Sequence, residues 1–123
     1  MAEAGHILLV DDQPANLGVL REMLEARGYG VVLAPNGQVA LRNATHLVPD
    51  LVLLDVNMPG VDGLEVCRHI RAASTEIPVI MITADSRPEI VRDAIAAGAN
   101  DFVTKPFTSE RLKAALDRGL KAA

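Results

Sequence analysis

Cysteine occurs once, at Cys67, which rules out an internal disulfide and any cysteine-based metal cluster. Long hydrophobic runs are missing too: no apolar stretch approaches the ~18 residues of a membrane span. The opening Met1-Ala2-Glu3-Ala4-Gly5 carries neither the basic nor the apolar segment of a secretory signal, so the expected compartment is the cytoplasm, with no membrane partner. Positive charge is in deficit, with 12 Lys and Arg against 16 Asp and Glu and a formal net charge of -4. The basic residues are scattered rather than clustered on one face, which argues against direct nucleic-acid binding and favours proteins, or small anions held with a cation, as partners. His6, His46 and His69 have no zinc-binding spacing, and none reads as a phosphate donor. Repeats, low-complexity segments and composition shifts are all absent. At 123 residues, 50% hydrophobic and 23% charged, the chain reads as a single domain, 1–123, with a core from about residue 6 to 120.

What is present is alternation. His6 to Asp11 reads as a first strand, and Pro14 sits where the first turn of a helix tolerates it. Leu17, Leu20, Met23, Leu24 and Ala26 follow as an inward helical stripe that stops at Gly28. Gly30 to Ala34 makes a second strand. Asn36-Gly37 opens a helix with a weaker face of Val39, Ala40, Ala44 and Leu47, and Pro49 closes the connection. After the central strand Asp62 is a candidate helix cap, and Leu64, Cys67 and Ile70 share one side of the next helix, making Cys67 a core residue rather than a reactive thiol. Pro78 to Ile82 is the fourth strand; Pro88 begins a helix with Ile90, Val91, Ala94 and Ile95 inward and Gly98 as its stop. Asp101 to Lys105 is the fifth strand. Thr108 or Ser109 caps the last helix, with Glu110 near its positive end, Leu112, Ala115, Leu116 and Leu120 inward, and Gly119 expected to weaken its last turns. Strands alternating with helices in this way give an α/β fold with a parallel sheet covered on both faces.

The chemistry gathers where strands end. Asp50-Leu51-Val52-Leu53-Leu54-Asp55 is an apolar strand flanked by acids and cut off by Met58-Pro59-Gly60, leaving Asp55 at its carboxyl end. In open α/β sheets that is the end at which ligands bind. Ile7-Leu8-Leu9-Val10 likewise runs into Asp11-Asp12, Val79-Ile80-Met81-Ile82 into Thr83, and Phe102-Val103 through Thr104 into Lys105-Pro106. In a parallel sheet three acids, a hydroxyl and an ammonium then share one edge.

With Asp11-Asp12, Asp55-Val56-Asn57-Met58-Pro59-Gly60, Thr83-Ala84 and Lys105-Pro106-Phe107 all in order, the chain resembles the receiver domain of two-component response regulators over roughly His6 to Leu120. The resemblance implies a single doubly wound, flavodoxin-like (βα)5 domain with strand order 2-1-3-4-5, which sets Asp11 and Asp12 beside Asp55. Crowded carboxylates repel by ~4 kcal/mol per pair at about 4 Å and an effective dielectric of about 20, and a divalent cation relieves this. Mg2+ suits a few carboxylate oxygens with water and phosphate. By the resemblance Asp12 and Asp55 bind it directly, the Asn57 carbonyl adds a ligand, Asp11 acts through water, and Asp55 accepts the phosphoryl group.

Further roles follow from the same likeness. Lys105 and Thr83 contact phosphoryl oxygens; small Ala84 keeps the group accessible; Pro106 follows a cis bond; Asn57 and Asp85 flank the approach of hydrolytic water. Phe102 occupies the aromatic switch position, where a Phe keeps the packing half of the switch and lacks the hydroxyl half. The implied partners are a histidine kinase or histidine phosphotransfer protein and a downstream effector reached through the surface of the fourth helix, fifth strand and fifth helix. Pairing with a second copy through the fourth and fifth helices stays open. So does the choice between a stand-alone regulator and a segment of a longer one.

The expected role is that of a phosphoacceptor that assists its own phosphorylation and dephosphorylation, not a dedicated enzyme. Two other readings use part of the pattern. A phosphatase of the haloacid dehalogenase type also has a strand-end Asp, magnesium, Thr and Lys, but needs a second Asp two residues after the first, where Gln13 follows Asp11. A receiver fold that no longer takes phosphate usually lacks an acid or the lysine, and here all are present.

Overall fold

The computed structural model describes residues 6–11, 14–36, 38–40, 42, 49–55, 63–73, 77–83, 87–104 and 108–121, without the side chains of 14, 16, 73, 120 and 121. Five strands, β1 (His6–Val10), β2 (Gly30–Ala34), β3 (Leu51–Asp55), β4 (Val79–Thr83) and β5 (Asp101–Thr104), alternate with helices. These are α1 (Pro14–Ala26), a helical stretch α2 described at residues 38–40 and 42, α3 (Gly63–Ala73), α4 (Pro88–Ala96) and α5 (Ser109–Lys121). All strand pairs are parallel and the order is β2-β1-β3-β4-β5.

Because successive side chains of a strand point to opposite faces, the sheet feeds two cores. Leu8, Val10, Val52, Leu54, Val79 and Met81 pack with Val66, Cys67, Ile70 and Ala94 of α3 and α4. Ile7, Leu9, Leu51, Leu53, Ile80 and Val103 pack with Leu17, Leu20 and Leu24 of α1 and Leu112, Ala115 and Leu116 of α5. β3 and β4 are buried at every position, as the runs without polar alternation require. Each such Leu, Ile or Val side chain contributes ~1.5–3 kcal/mol of burial.

The helix boundaries have local causes. Gly28 (φ 93°) and Gly98 (φ 108°) end α1 and α4 in the left-handed region open to glycine. Asn36 Oδ1 accepts the Val39 N–H at 2.9 Å and opens α2. Thr108 Oγ1 accepts the Arg111 N–H at 3.0 Å, so Thr108 rather than Ser109 is the cap of α5.

Some expectations need correction. Ile95 is 63% exposed and Ala26 is exposed, because each lies off the narrow face its helix lays on the sheet; Ala94 is the buried side chain of α4. Val66 of α3 is fully buried, although periodicity had singled out its neighbours. Pro78 precedes β4 and Thr83 closes it, since proline has no N–H for the ladder. Gly119 is buried within α5, where an added Cβ would stand 2.9 Å from Leu51 Cδ1, so its missing side chain lets α5 sit close on the sheet.

Candidate functional site

Three polar side chains are buried among the described residues, Asp11, Asp55 and Thr83. All three stand at the carboxyl ends of the three central strands. β1 and β3 are in register with Val10 opposite Leu54, so the next residues of the two strands, Asp11 and Asp55, emerge side by side. The Asp11 N–H reaches the Ala34 carbonyl at 3.2 Å, continuing the β1–β2 ladder one residue past β1 and fixing where Asp11 leaves the sheet. Asp55 faces Ile82 across β3–β4, which puts Thr83 one residue further out on the neighbouring strand. Asp11 is 2%, Asp55 7% and Thr83 0% exposed. Aspartate is seldom so buried, so two such carboxylates and a buried hydroxyl gathered at one sheet edge make it the candidate site.

Strand alternation also sorts the faces. Asp55 shares the face of Leu51 and Leu53, toward α1 and α5, while Thr83 shares that of Val79 and Met81, toward α3 and α4. Phe102 lies opposite Met81 and packs, half-buried, against this second core. The ring and the Thr83 hydroxyl are therefore in one layer. Phe102 is held through its backbone: its N–H donates to Asp101 Oδ1 at 2.7 Å and its carbonyl accepts from Arg111 Nη2 at 2.8 Å.

Of the residues singled out by the resemblance, Asp11, Asp55 and Thr83 are thus brought to one end of the sheet, and Phe102 stands on β5 two rungs back from Thr83. Asp12, Asn57, Ala84, Asp85, Lys105 and Pro106 lie outside the described residues, as does the Asp62 cap. The Thr83–Thr104 rung places the start of the segment holding Lys105 at the same edge. Two buried carboxylates on adjacent strands give a hard, oxygen-only donor pair of the kind that suits magnesium. Among the described residues there is no group of three acids, histidines or cysteines for a metal.

Sequence reading had missed Arg111 and Arg118, which bind the free edge of β5. Arg118 Nη2 meets Asp101 Oδ2 at 2.7 Å, and Arg111 donates to Phe102. Spacing along α5 carries no hint of this, because the partners belong to another element.

In a doubly wound parallel sheet of this order ligands bind at the β1–β3 switch point, where Asp11 and Asp55 stand. The chain matches the response regulator receiver domain model over residues 7–117 and belongs to that family. It is 45% identical over 120 residues to the transcriptional regulatory protein YkoG of Bacillus subtilis, covering 97% of this chain and 52% of YkoG. It is 39% identical to the alkaline phosphatase synthesis transcriptional regulatory protein PhoP of the same organism, covering 95% of this chain and 50% of PhoP. The chain thus spans about half the length of these curated relatives. Among solved structures, Vibrio cholerae chemotaxis protein CheY4 superposes with a TM-score of 0.91 at 34% identity, over 97% of this chain and 100% of that one. The signal receiver domain of a signal transduction histidine kinase from Syntrophus aciditrophicus gives 0.89 at 37% identity, over 98% and 92%.

Proposed function

We propose that this receiver domain takes a phosphoryl group onto Asp55 from a phosphohistidine of a partner histidine kinase or phosphotransfer protein. A carboxylate oxygen of Asp55 attacks phosphorus, the P–N bond breaks, and the departing imidazole nitrogen keeps the electron pair and picks up a proton. Asp12, Asp55 and the Asn57 carbonyl would hold Mg2+, with Asp11 acting through water. When bound, the ion neutralises the acids and the incoming phosphate. The observation that supports this reading is the burial of Asp11, Asp55 and Thr83, all at the ends of three adjacent strands.

Lys105 and Thr83 would hold phosphoryl oxygens, with Pro106 fixing the backbone after Lys105 through a cis bond. Ala84 leaves room for the group, and Asn57 and Asp85 tune how long it lasts. Thr83 moving toward the phosphoryl group frees space in the layer it shares with Phe102, and the ring turns inward. The α4–β5–α5 surface thereby changes, and a partner or effector reads it. Swinging such an equilibrium from 1:99 to 99:1 takes ~5.5 kcal/mol of differential stabilisation, so a partial shift is the expectation for one phosphoryl group. The relatives that are transcriptional regulators extend well beyond the matched region, which supports an output carried by an effector segment or partner rather than by direct nucleic-acid binding of this domain. The domain is a cytoplasmic phosphoacceptor, not a dedicated enzyme.

The test is intact-protein mass after incubation with Mg2+ and acetyl phosphate, or spectral change with beryllofluoride. The expected result is one added phosphoryl group that needs Mg2+ and is lost in Asp55→Asn. No modification by several donors would favour an interaction module, and repeated turnover of a small phosphate ester would favour a phosphatase.

A further inference from the structure

The two ends of α4 are held very differently. At its start the Arg87 carbonyl accepts the Ile90 and Val91 N–H groups at 3.0 and 3.2 Å, and its side chain does not cap the helix. Ile90 and Val91 are half-buried, Glu89, Arg92 and Asp93 exposed, and Ala94 is the buried residue of the helix. Among the described residues this end, which follows Thr83 in the chain, has no buried side chain before Ala94.

The far end is bolted down. Arg71, in the last turn of α3, donates to the Gly98 carbonyl through Nη2 at 2.8 Å and Nε at 3.2 Å, and through Nη2 to Asn100 Oδ1 at 2.7 Å. The same Asn100 Oδ1 accepts the Val79 N–H at 2.9 Å, and the Asn100 N–H donates to the Val79 carbonyl at 2.8 Å. One guanidinium thus ties the α4–β5 corner to α3 and, through Asn100, to the start of β4. The Cys67 thiol adds a contact to the Ala97 carbonyl at 3.4 Å. The fit is tight: a Cβ on Gly98 would stand 2.9 Å from Arg71 Cγ. Charge-assisted hydrogen bonds from a planar fork are the strong kind, and lysine does not reproduce them.

We propose that Arg71 is the fixed pivot of α4: it clamps the Gly98–Asn100 corner so that the helix moves from its Thr83 end. The purpose of the pivot rests on the switching reading above; the clamp itself does not. A change at the sheet edge is thereby delivered to the exposed outer face of α4, including Ile95, without loosening the joint between α4 and β5.

Amide hydrogen exchange on the whole chain tests this, with wild type, Arg71→Met and Arg71→Lys compared with and without Mg2+ and beryllofluoride. Without ligand, residues 97–100 exchange more slowly than 90–93 in wild type, and Arg71→Met speeds 97–100 by at least about tenfold while α1 and α5 keep their protection. Arg71→Lys falls between. With beryllofluoride the wild-type change is confined to 88–93, and in Arg71→Met it spreads to 97–100, a redistribution that a merely stabilising arginine would not produce. Unchanged exchange at 97–100 in Arg71→Met, uniform acceleration of all helices, or a wild-type response as large at 97–100 as at 90–93 overturns the proposal. A beryllofluoride response nowhere in α4 counts against the switching reading, and the ligand-free comparison still decides the clamp.

Discussion

Replacing Gly18 and Gly119 with alanine applies one chemical change inside two helices and should give opposite results. Helix propensity favours alanine by ~0.8–1.0 kcal/mol, partly because the unfolded chain has fewer states to lose. Gly18 is exposed in α1 and an added Cβ meets nothing within 4 Å, so the whole gain is kept. For a domain of this size ~1 kcal/mol corresponds to a rise in Tm of roughly 3–6 °C. At Gly119 the new Cβ stands 2.9 Å from Leu51 Cδ1, 3.5 Å from Pro78 Cβ and 3.7 Å from Ile80 Cδ1. Leu51 and Ile80 are both 0% exposed, so the leucine tip has little room to yield. Overpacking costs ~1–3 kcal/mol, which cancels the propensity gain or exceeds it, leaving Gly119→Ala between neutral and about 2 kcal/mol destabilised. Urea melts of both variants read this directly, with midpoints moving apart and slopes unchanged. Should Gly119→Ala be stabilised as much as Gly18→Ala, α5 does not sit on the sheet as closely as argued. A Gly18→Ala protein no more stable than its parent would sink the propensity argument itself.

Burial pushes the Asp101 carboxyl up, but the Arg118 hydrogen bond, the Phe102 N–H and the charges of Arg118 and Arg111 outweigh it and hold the group below the ordinary range. A carboxyl lowered by folding stabilises above its unfolded pKa of about 3.9 and loses that contribution as pH falls through the folded value. Asp101→Asn is therefore less stable than wild type near neutral pH, by under ~1 kcal/mol because Arg118 is 61% exposed, and urea melts in acid should show the gap closing; a gap that widens in acid refutes the pairing. Cys67 is 0% exposed, and burial raises its thiol pKa despite the charges of Arg71 and Arg68. Thiol reagents at neutral pH should thus label the native protein only as fast as it opens, and a rapid denaturant-independent phase would show the side chain to be accessible.

Much of the fold was legible because a parallel sheet buried on both faces demands continuous apolar runs, and Ile7–Val10, Leu51–Leu54 and Val79–Ile82 are such runs. Glycine and proline gave the helix limits for equally local reasons: Gly28 and Gly98 adopt positive φ, and Pro88 lies in the first turn of α4. Periodicity failed where the depth of a helix on the sheet decides burial. A 3.6-residue stripe marks a direction and not a distance, so Ile95 was assigned inward beside Ala94, while Val66, next to Cys67, went unassigned. The arginine contacts of α5 and α3 were invisible for another reason. Arg71 and Arg118 reach partners 27 and 17 residues away, and nothing local encodes such pairs.

From the residues alone the site was legible as a set of strand ends, and its place came with the strand order that the family resemblance implied and the sheet has. Alternation alone permits several strand orders; only with β1, β3 and β4 adjacent do Asp11, Asp55 and Thr83 become neighbours. One intervening strand would add ~5 Å, enough to put two carboxylates beyond a common small cation. The order does more than gather the acids. By placing β4 between Asp55 and β5, it puts the strand that ends in Thr83 in direct register with the one that carries Phe102, across the Met81–Phe102 rung. The acid edge and the half-buried ring are thus joined by one fully buried strand. A rigid strand transmits a displacement at its end to whatever packs on its face, and here the face of Thr83 is covered by α3 and α4, with Arg71 fixing one end of the latter. On the proposed function, therefore, the strand order that sets Asp11 and Asp55 side by side would also direct a change at that edge toward α4.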